Sequence, residues 1–236
     1  MPLRFIDLFA GAGGLSEGFI KSGYIPVAHV EMKRDACNTL KTRSAFHYLK
    51  DHGQLKIYED YLRNKQEGTD GKTLWNQVPT TVTDRVIQAT IGESTMDDIL
   101  KKLDQLAGNE PVDIIIGGPP CQAYSIAGRA KMGNEVKKDP RNYLYRYYLK
   151  FIEHFHPRMF VFENVMGITT AQTADMVKPF DDLKKIAYEM GYMAVEACCK
   201  AIAGETLEAF IDSGADVVTP DNAQERMDTL NKYLGN

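Results

Sequence analysis

Short apolar runs that stop at glycine or proline alternate with amphipathic stretches along most of this chain. Leu3 to Phe9 is apolar except for Arg4 and Asp7, and it runs into Ala10-Gly11-Ala12-Gly13-Gly14. Ile25 to Val30 is a second run, closing on Glu31, and the residues between, Leu15 to Ser22, have helical spacing with Gly23 as terminator. Asp35 to Leu49 places Ala36, Leu40, Phe46 and Leu49 on one broad helical face, and Ile57 to Arg63 continues as helix. Thr95 to Leu106 repeats Met96, Ile99, Leu100, Leu103 and Leu106 at helical intervals, with Ser94 or Thr95 as cap. Val112 to Ile116 reads as a buried strand that Gly117-Gly118-Pro119-Pro120 ends abruptly. Tyr143 to His154 is a helix whose Tyr143, Tyr147, Tyr148 and Phe151 serve packing, and Arg158 to Phe162 is a strand ending in Glu163-Asn164. Strands alternating with helices predict an α/β protein with a parallel sheet.

Two segments are less legible. Gln66 to Lys72 is a polar loop, Trp75 with Val78 and Pro79 anchors it to the body, and Val82 to Ile91 fits strand or helix equally. After Gly191 the chain reads as strand (Tyr192 to Cys198), helix (Glu205 to Ser213), strand (Ala215 to Thr219) and helix (Asn222 to Leu234). The expected organisation is one domain over residues 1–236, with an enlarged connection around 45–95 and a C-terminal extension over 192–236. A chain of 236 residues is long enough for a substantial core. Its four cysteines show no metal-binding spacing, which suggests a reduced, cytoplasmic protein. No apolar run approaches membrane-spanning length. The net charge of −4 gives no overall signature for nucleic acid, so any such binding must come from a local patch.

Candidate chemistry lies at the strand ends. The first strand, glycine loop, helix and second strand form a unit of the size of a nucleotide-binding half-site. Glu31, twenty positions after Gly11, is placed to accept both hydroxyls of a ribose. The GxGG spacing and the preceding Asp7 suit a cationic or zwitterionic ligand better than a pyrophosphate, and S-adenosylmethionine has that charge pattern. The alternative is a tight strand-to-helix turn that binds nothing. Cys121 follows the four punctuators at a strand's C-terminal end, where open α/β sheets bind ligands. Arg129, Lys131, Lys137, Lys138, Arg141 and Arg146 then face only Glu135 and Asp139, a basic loop that suits a phosphate backbone or is merely solvated. Glu163 ends the next strand, so a thiol and a carboxyl group are expected in one crevice.

The stretches DLFAGAGG, Glu31, GGPPCQAYSIAGR, DPRN and FENV, in that order, resemble the successive motifs of the cytosine-5 DNA methyltransferases. The resemblance covers roughly the first 190 residues and implies a doubly wound, Rossmann-like sheet that binds S-adenosylmethionine beside a flipped cytosine in double-stranded DNA. Carried over by position, it implies that Phe9, Gly11, Gly13 and Leu15, with Asp7, line the methionine end of the cofactor. Glu31 and Met32 would hold its ribose and adenine, and Pro119 and Leu144 would approach it. Cys121 would be the nucleophile that adds to carbon 6, and Glu163, with Asn164 fixing its loop, would offset charge on the ring. Gln122, Ser125 and Arg129 would close over the DNA. No metal is implied.

Departures from the family are equally plain. Its later glutamine-x-arginine-x-arginine motif is absent, and Gln224-Glu225-Arg226 does not replace it. The variable region that reads DNA sequence, and a third strand between Val82 and Glu93 bearing an aspartate for the adenine amine, are not evident either. The expectation is therefore a methyltransferase catalytic half, suited to restriction-modification, that is either truncated or needs a second chain for target recognition. The alternatives are a non-catalytic S-adenosylmethionine-binding or regulatory fragment, and a nicotinamide or flavin oxidoreductase, against which the GxGG spacing argues.

Overall fold

A computed structural model describes residues 2–64, 71–120, 140–164, 178, 179, 181–183 and 185. The chain divides into one compact unit over Met1–Pro179 and a second over Phe180–Asn236. The sheet and its helices belong to the first unit. The expectations for the tail beyond Gly191, and those placed on Cys121, Gln122, Ser125 and Arg129, lie outside the described residues.

Five strands form one sheet: β1 Arg4–Leu8, β2 Ile25–Glu31, β3 Val86–Gln88, β4 Ile114–Gly117 and β5 Met159–Phe162. Their order is β3-β2-β1-β4-β5, and every pairing is parallel. The α-helices around it include α1 Gly14–Lys21, α2 Arg34–Asp51, α3 Leu55–Asn64, α4 Lys72–Trp75, α5 Thr80–Thr83, α6 Met96–Ala107 and α7 Leu144–Phe155. β1 connects to β2 on one side and β4 lies beside β5 on the other, so the strand order reverses between β1 and β4, the switch point at whose C-terminal ends doubly wound sheets bind ligands.

Both faces of the sheet are covered, which is why the central strands read as continuous apolar runs rather than alternating ones. Phe5, Ile114 and Ile116 pack beneath Leu15, Phe19 and Ile20 of α1. Tyr145, Tyr148, Phe151 and Ile152 of α7 are buried, as are Ile99 and Leu103 of α6. β1 and β4 approach so closely at their ends that a Cβ on Gly117 would overlap the Leu8 carbonyl oxygen and lie 3.1 Å from its carbon. Only glycine fits there.

The region that was ambiguous by pattern resolves into short elements. Residues Thr80–Thr83 are a helical turn, and Val86–Gln88 form the edge strand β3 beside β2. A three-residue strand carries too few positions for period-2 alternation to show. Trp75 does anchor the connection: with Tyr48, Ile57, Tyr58 and Tyr61 it covers a separate core of Ala45, Leu49, Leu74, Val78 and Val82. Thr95 stands at the N-cap of α6 without a side-chain cap bond; its hydroxyl instead donates back to the carbonyls of Thr90 (2.5 Å) and Gly92 (3.1 Å).

α1 and α2 are joined by one carboxylate. Glu17 accepts from Arg43 at 3.1 Å and meets His47 Nε2 at 2.9 Å, with Lys21 at 3.6 Å. Burial alone would raise the Glu17 carboxyl, but the His47 hydrogen bond and the charges of His47, Arg43 and Lys21 together hold it below its ordinary value.

Two outcomes are expected. Gly117→Ala forces β1 and β4 apart and lowers stability in urea by roughly 1–3 kcal/mol, the scale of overpacking in a tight core. Because Glu17 ionises below its ordinary value of 4.5, its contribution is complete above that pH and disappears as pH falls through the folded value. Glu17→Gln should therefore lose about 1 kcal/mol near neutrality, and urea melts of the two proteins should converge in acid.

Candidate active site

The loop after β1 is built from unusual backbone. Phe9, Gly11 and Gly13 all have positive φ, at 56°, 55° and 82°. A non-glycine residue held there is a local strain that surrounding structure must enforce. Ala10 N–H donates to the Val30 carbonyl at 3.1 Å and Gly13 N–H to the Ala10 carbonyl at 2.9 Å, so β2 and the turn itself enforce it. At Gly13 a Cβ would meet Leu40 Cδ2 at 2.7 Å, whereas at Gly11 it would meet nothing within 4 Å. Gly13 is needed for packing against α2. Gly11 faces open space.

Glu31 closes this loop from the second strand. Its Oε2 accepts from Gly11 N–H at 2.9 Å and its Oε1 from Lys33 N–H at 2.7 Å, with the residue 8 % exposed. A carboxylate has about four acceptor positions, so each oxygen keeps one for a ligand. Cys37 donates to the Glu31 carbonyl at 3.3 Å; burial, then the Glu31 charge, pushes its thiol above the ordinary range and leaves it inert. Met32, beside Glu31, is 55 % exposed, an apolar side chain held at the surface next to a polar anchor.

Asp7 faces inward. At 1 % exposure it accepts a hydrogen bond from the Ser16 hydroxyl, and His29 Nδ1 lies 3.1 Å from that hydroxyl oxygen and 3.8 Å from the carboxylate. With its single proton given to Asp7, Ser16 can only accept from His29, so the imidazole carries its proton on Nδ1. Sequence reasoning singled out Asp7 but missed Ser16 and His29. The signal was present: a histidine inside an otherwise apolar strand needs a buried partner.

The second cluster sits at the ends of β4 and β5, which pair in register from Ile114–Met159 to Gly117–Phe162. Glu163 N–H donates to the Gly117 carbonyl at 2.8 Å, carrying the pairing one step past the strands. The exposed Glu163 side chain then folds over Gly118, where a Cβ would overlap Oε2 and lie 3.1 Å from the Glu163 carbonyl oxygen. Asn164 Nδ2 donates to the Pro119 carbonyl at 3.1 Å. Asn164 thus fixes the proline loop as well as the segment that carries the carboxylate. Pro119 is buried, Leu15 is half-buried against the Phe5 cluster, and Leu144 is half-buried at the start of α7.

Among the described residues, two groups lie at the C-terminal ends of the central strands: the glycine loop with Glu31 and Met32, and Gly118-Pro119 with Glu163 and Asn164. A parallel sheet in this order, with a glycine loop after its first strand and an acid ending its second, is the Rossmann-like fold of S-adenosylmethionine-dependent methyltransferases. Within that class, the chain belongs to the C-5 cytosine-specific DNA methylase family, whose sequence profile matches residues 3–68 and 84–201. It is 40 % identical over 204 residues to the type II methyltransferase M.Bpa9945I of Bacillus paralicheniformis, covering 79 % of this chain and 45 % of that protein. To M1.HphI of Haemophilus parahaemolyticus it is 30 % identical over 187 residues, covering 78 % and 39 %. To M.AgeI of Thalassovita gelatinovora it is 29 % identical over 220 residues, covering 91 % and 40 %. The chain spans less than half the length of each of these relatives. Among the described residues no helix is long and apolar enough to cross a membrane.

Glu31→Ala removes two hydrogen bonds to a charged acceptor and should destabilise the chain by about 2–4 kcal/mol. Amide exchange should accelerate first at Gly11 and Lys33. Equal acceleration throughout the sheet would show that Glu31 does not hold this loop locally.

Proposed function

We propose that this chain is the catalytic half of a DNA (cytosine-5)-methyltransferase, transferring a methyl group from S-adenosylmethionine to carbon 5 of a cytosine flipped out of double-stranded DNA. The observation that carries the reading is the junction of β4 and β5. Glu163 lies against Gly118 while Asn164 holds the Pro119 carbonyl, two residues before Cys121. A carboxyl group and the loop leading to a thiol are thereby kept at one crevice, the pair that cytosine activation requires.

The cofactor end supports the same reading. Open space above Gly11, the spare acceptor positions of Glu31 and the exposed Met32 fit a ligand with a ribose and an apolar base. Gly11, Gly13, Phe9 and Leu15 would border its methionine portion, with Pro119 and Leu144 on the far side of the crevice. Asp7, which accepts from Ser16 at the start of α1, would lie at the same end of the cofactor. When bound, S-adenosylmethionine supplies an electrophilic methyl group on a sulfonium.

The chain's own residues would do the rest. Cytosine carbon 5 is a weak nucleophile, so the Cys121 thiolate adds to carbon 6, forming a carbon–sulfur bond and releasing the ring π pair toward carbon 5. Glu163 places a proton at ring nitrogen 3 and offsets the negative charge that builds there. After methylation, loss of the carbon-5 proton and expulsion of the Cys121 thiolate restore the aromatic ring. A stacked base hides carbon 6, so the cytosine must leave the helix, with Gln122, Ser125 and Arg129 closing on the DNA. Recognition of a particular sequence falls to a further segment or a second chain, and the reaction fits a cytoplasmic restriction-modification system.

A duplex of mixed sequence carrying 5-fluorocytosine tests the proposal, because fluorine at carbon 5 blocks the final elimination. With S-adenosylmethionine present, a denaturation-resistant protein–DNA adduct is expected. It should vanish in Cys121→Ser and form on the order of 10²–10⁴ times more slowly in Glu163→Gln. Cofactor binding by calorimetry with no adduct, alone or beside a recognition chain, would instead make this a binding fragment.

A further inference from the structure

Tyr148 was expected mostly to serve packing, and its hydroxyl also bridges β4 and β5. The phenol oxygen lies 3.0 Å from the carbonyl of Ile115 on β4 and 3.0 Å from the carbonyl of Val161 on β5. Each of those residues sits two positions before the last hydrogen-bonded step of its strand: Ile115 before Gly117, and Val161 before Glu163. The ring is 0 % exposed and packs edge-on against Phe162 at 5.0 Å and Phe160 at 6.3 Å, the residues flanking Val161. It has no freedom to swing away.

Both carbonyls already belong to a parallel ladder, in which pairing alone sets strand separation. A packing role would need only the ring, and phenylalanine would supply it. A hydroxyl with one proton shared between two carbonyl oxygens adds a tie across the strands close to the site. Burial, and secondly the charge of Asp7, push this phenol well above its ordinary range, so the donor is present at any working pH.

We infer that the Tyr148 hydroxyl is a positioning group that fixes the spacing of the β4 and β5 ends, and through it the approach of Glu163 to the Gly118-Pro119 loop. The consequence for catalysis rests on the methyltransferase reading; the tie itself does not. Reacting groups displaced by about an ångström lose up to about a hundredfold in rate, so a tie at this rung acts on turnover rather than on binding.

Tyr148→Phe tests this in the whole chain, because it removes one oxygen atom and leaves the packing intact. Residue-resolved amide exchange should rise severalfold at Glu163, whose N–H meets the Gly117 carbonyl, and remain unchanged at Gly11 and Lys33. Single-turnover capture of the 5-fluorocytosine duplex should fall about tenfold, with the affinity for S-adenosylmethionine and the half-saturating DNA concentration unaltered. Unchanged exchange at Glu163, or exchange rising equally at all three amides, would overturn the inference. The exchange comparison needs no DNA, so a wild-type chain that never captures the duplex would count against the functional reading alone.

Discussion

The parallel pairing of β4 with β5 is the constraint on which the site depends. Two strands that are far apart in sequence run side by side in register, and each ends in a different reactive segment. The pairing outlasts the strands by one hydrogen bond, from Glu163 N–H to the Gly117 carbonyl. Beyond it the side chains take over: Glu163 lies on Gly118, and Asn164 holds Pro119. Gly117 and Gly118 are required for steric reasons on opposite sides, one against the Leu8 backbone and the other against the Glu163 carboxylate. Adjacent glycines therefore let β4 sit tightly between its neighbours.

The β1–β2 half solves a different problem. Its loop holds Phe9, Gly11 and Gly13 at positive φ, and such backbone persists only when bonds over-determine it. Glu31 supplies part of that, since one carboxylate ties the loop at Gly11 and the entry to α2 at Lys33. The acid expected to meet a ribose is thus also a structural tie. Beneath the loop, Asp7, Ser16 and His29 form a buried polar set in which each hydrogen has an acceptor, the condition under which such a set is tolerated in an apolar core.

Most of the strands and long helices were legible, because apolar runs with glycine or proline ends and helical spacings are local signals. That the Gly118-Pro119 end of β4 meets Glu163 was legible too, since both follow strands and a parallel sheet brings such ends to one side. What escaped was set by partners distant in sequence. β3 is too short to show a period, and it exists because His29 to Glu31 pair with Val86 to Gln88. The hydrogen bond from Ser16 to Asp7 joins positions nine apart, which no local pattern shows. Tyr148 looked like packing because sequence pattern reports the burial of a ring and not the aim of its hydroxyl.

The family profile passes over residues 69–83, and the fold shows why extra residues are tolerated there. α4 and α5 pack with the second half of α2 and with α3 around their own small core, tied also by Trp75 Nε1 to Thr42 Oγ1 at 3.3 Å. α5 leads directly into the start of β3, so this lobe belongs to the N-terminal ends of the strands. The glycine loop, Glu31, Gly118 and Glu163 all belong to the C-terminal ends. In a doubly wound sheet the two ends are separated by the full length of the strands, and an addition at one leaves the hydrogen bonds at the other undisturbed. An insertion at Gly117 or Gly118 would have to displace either Leu8 or Glu163, each already in contact with one of these glycines. The connection before β3 is open to growth for the same reason that the Gly117-Gly118 step is not.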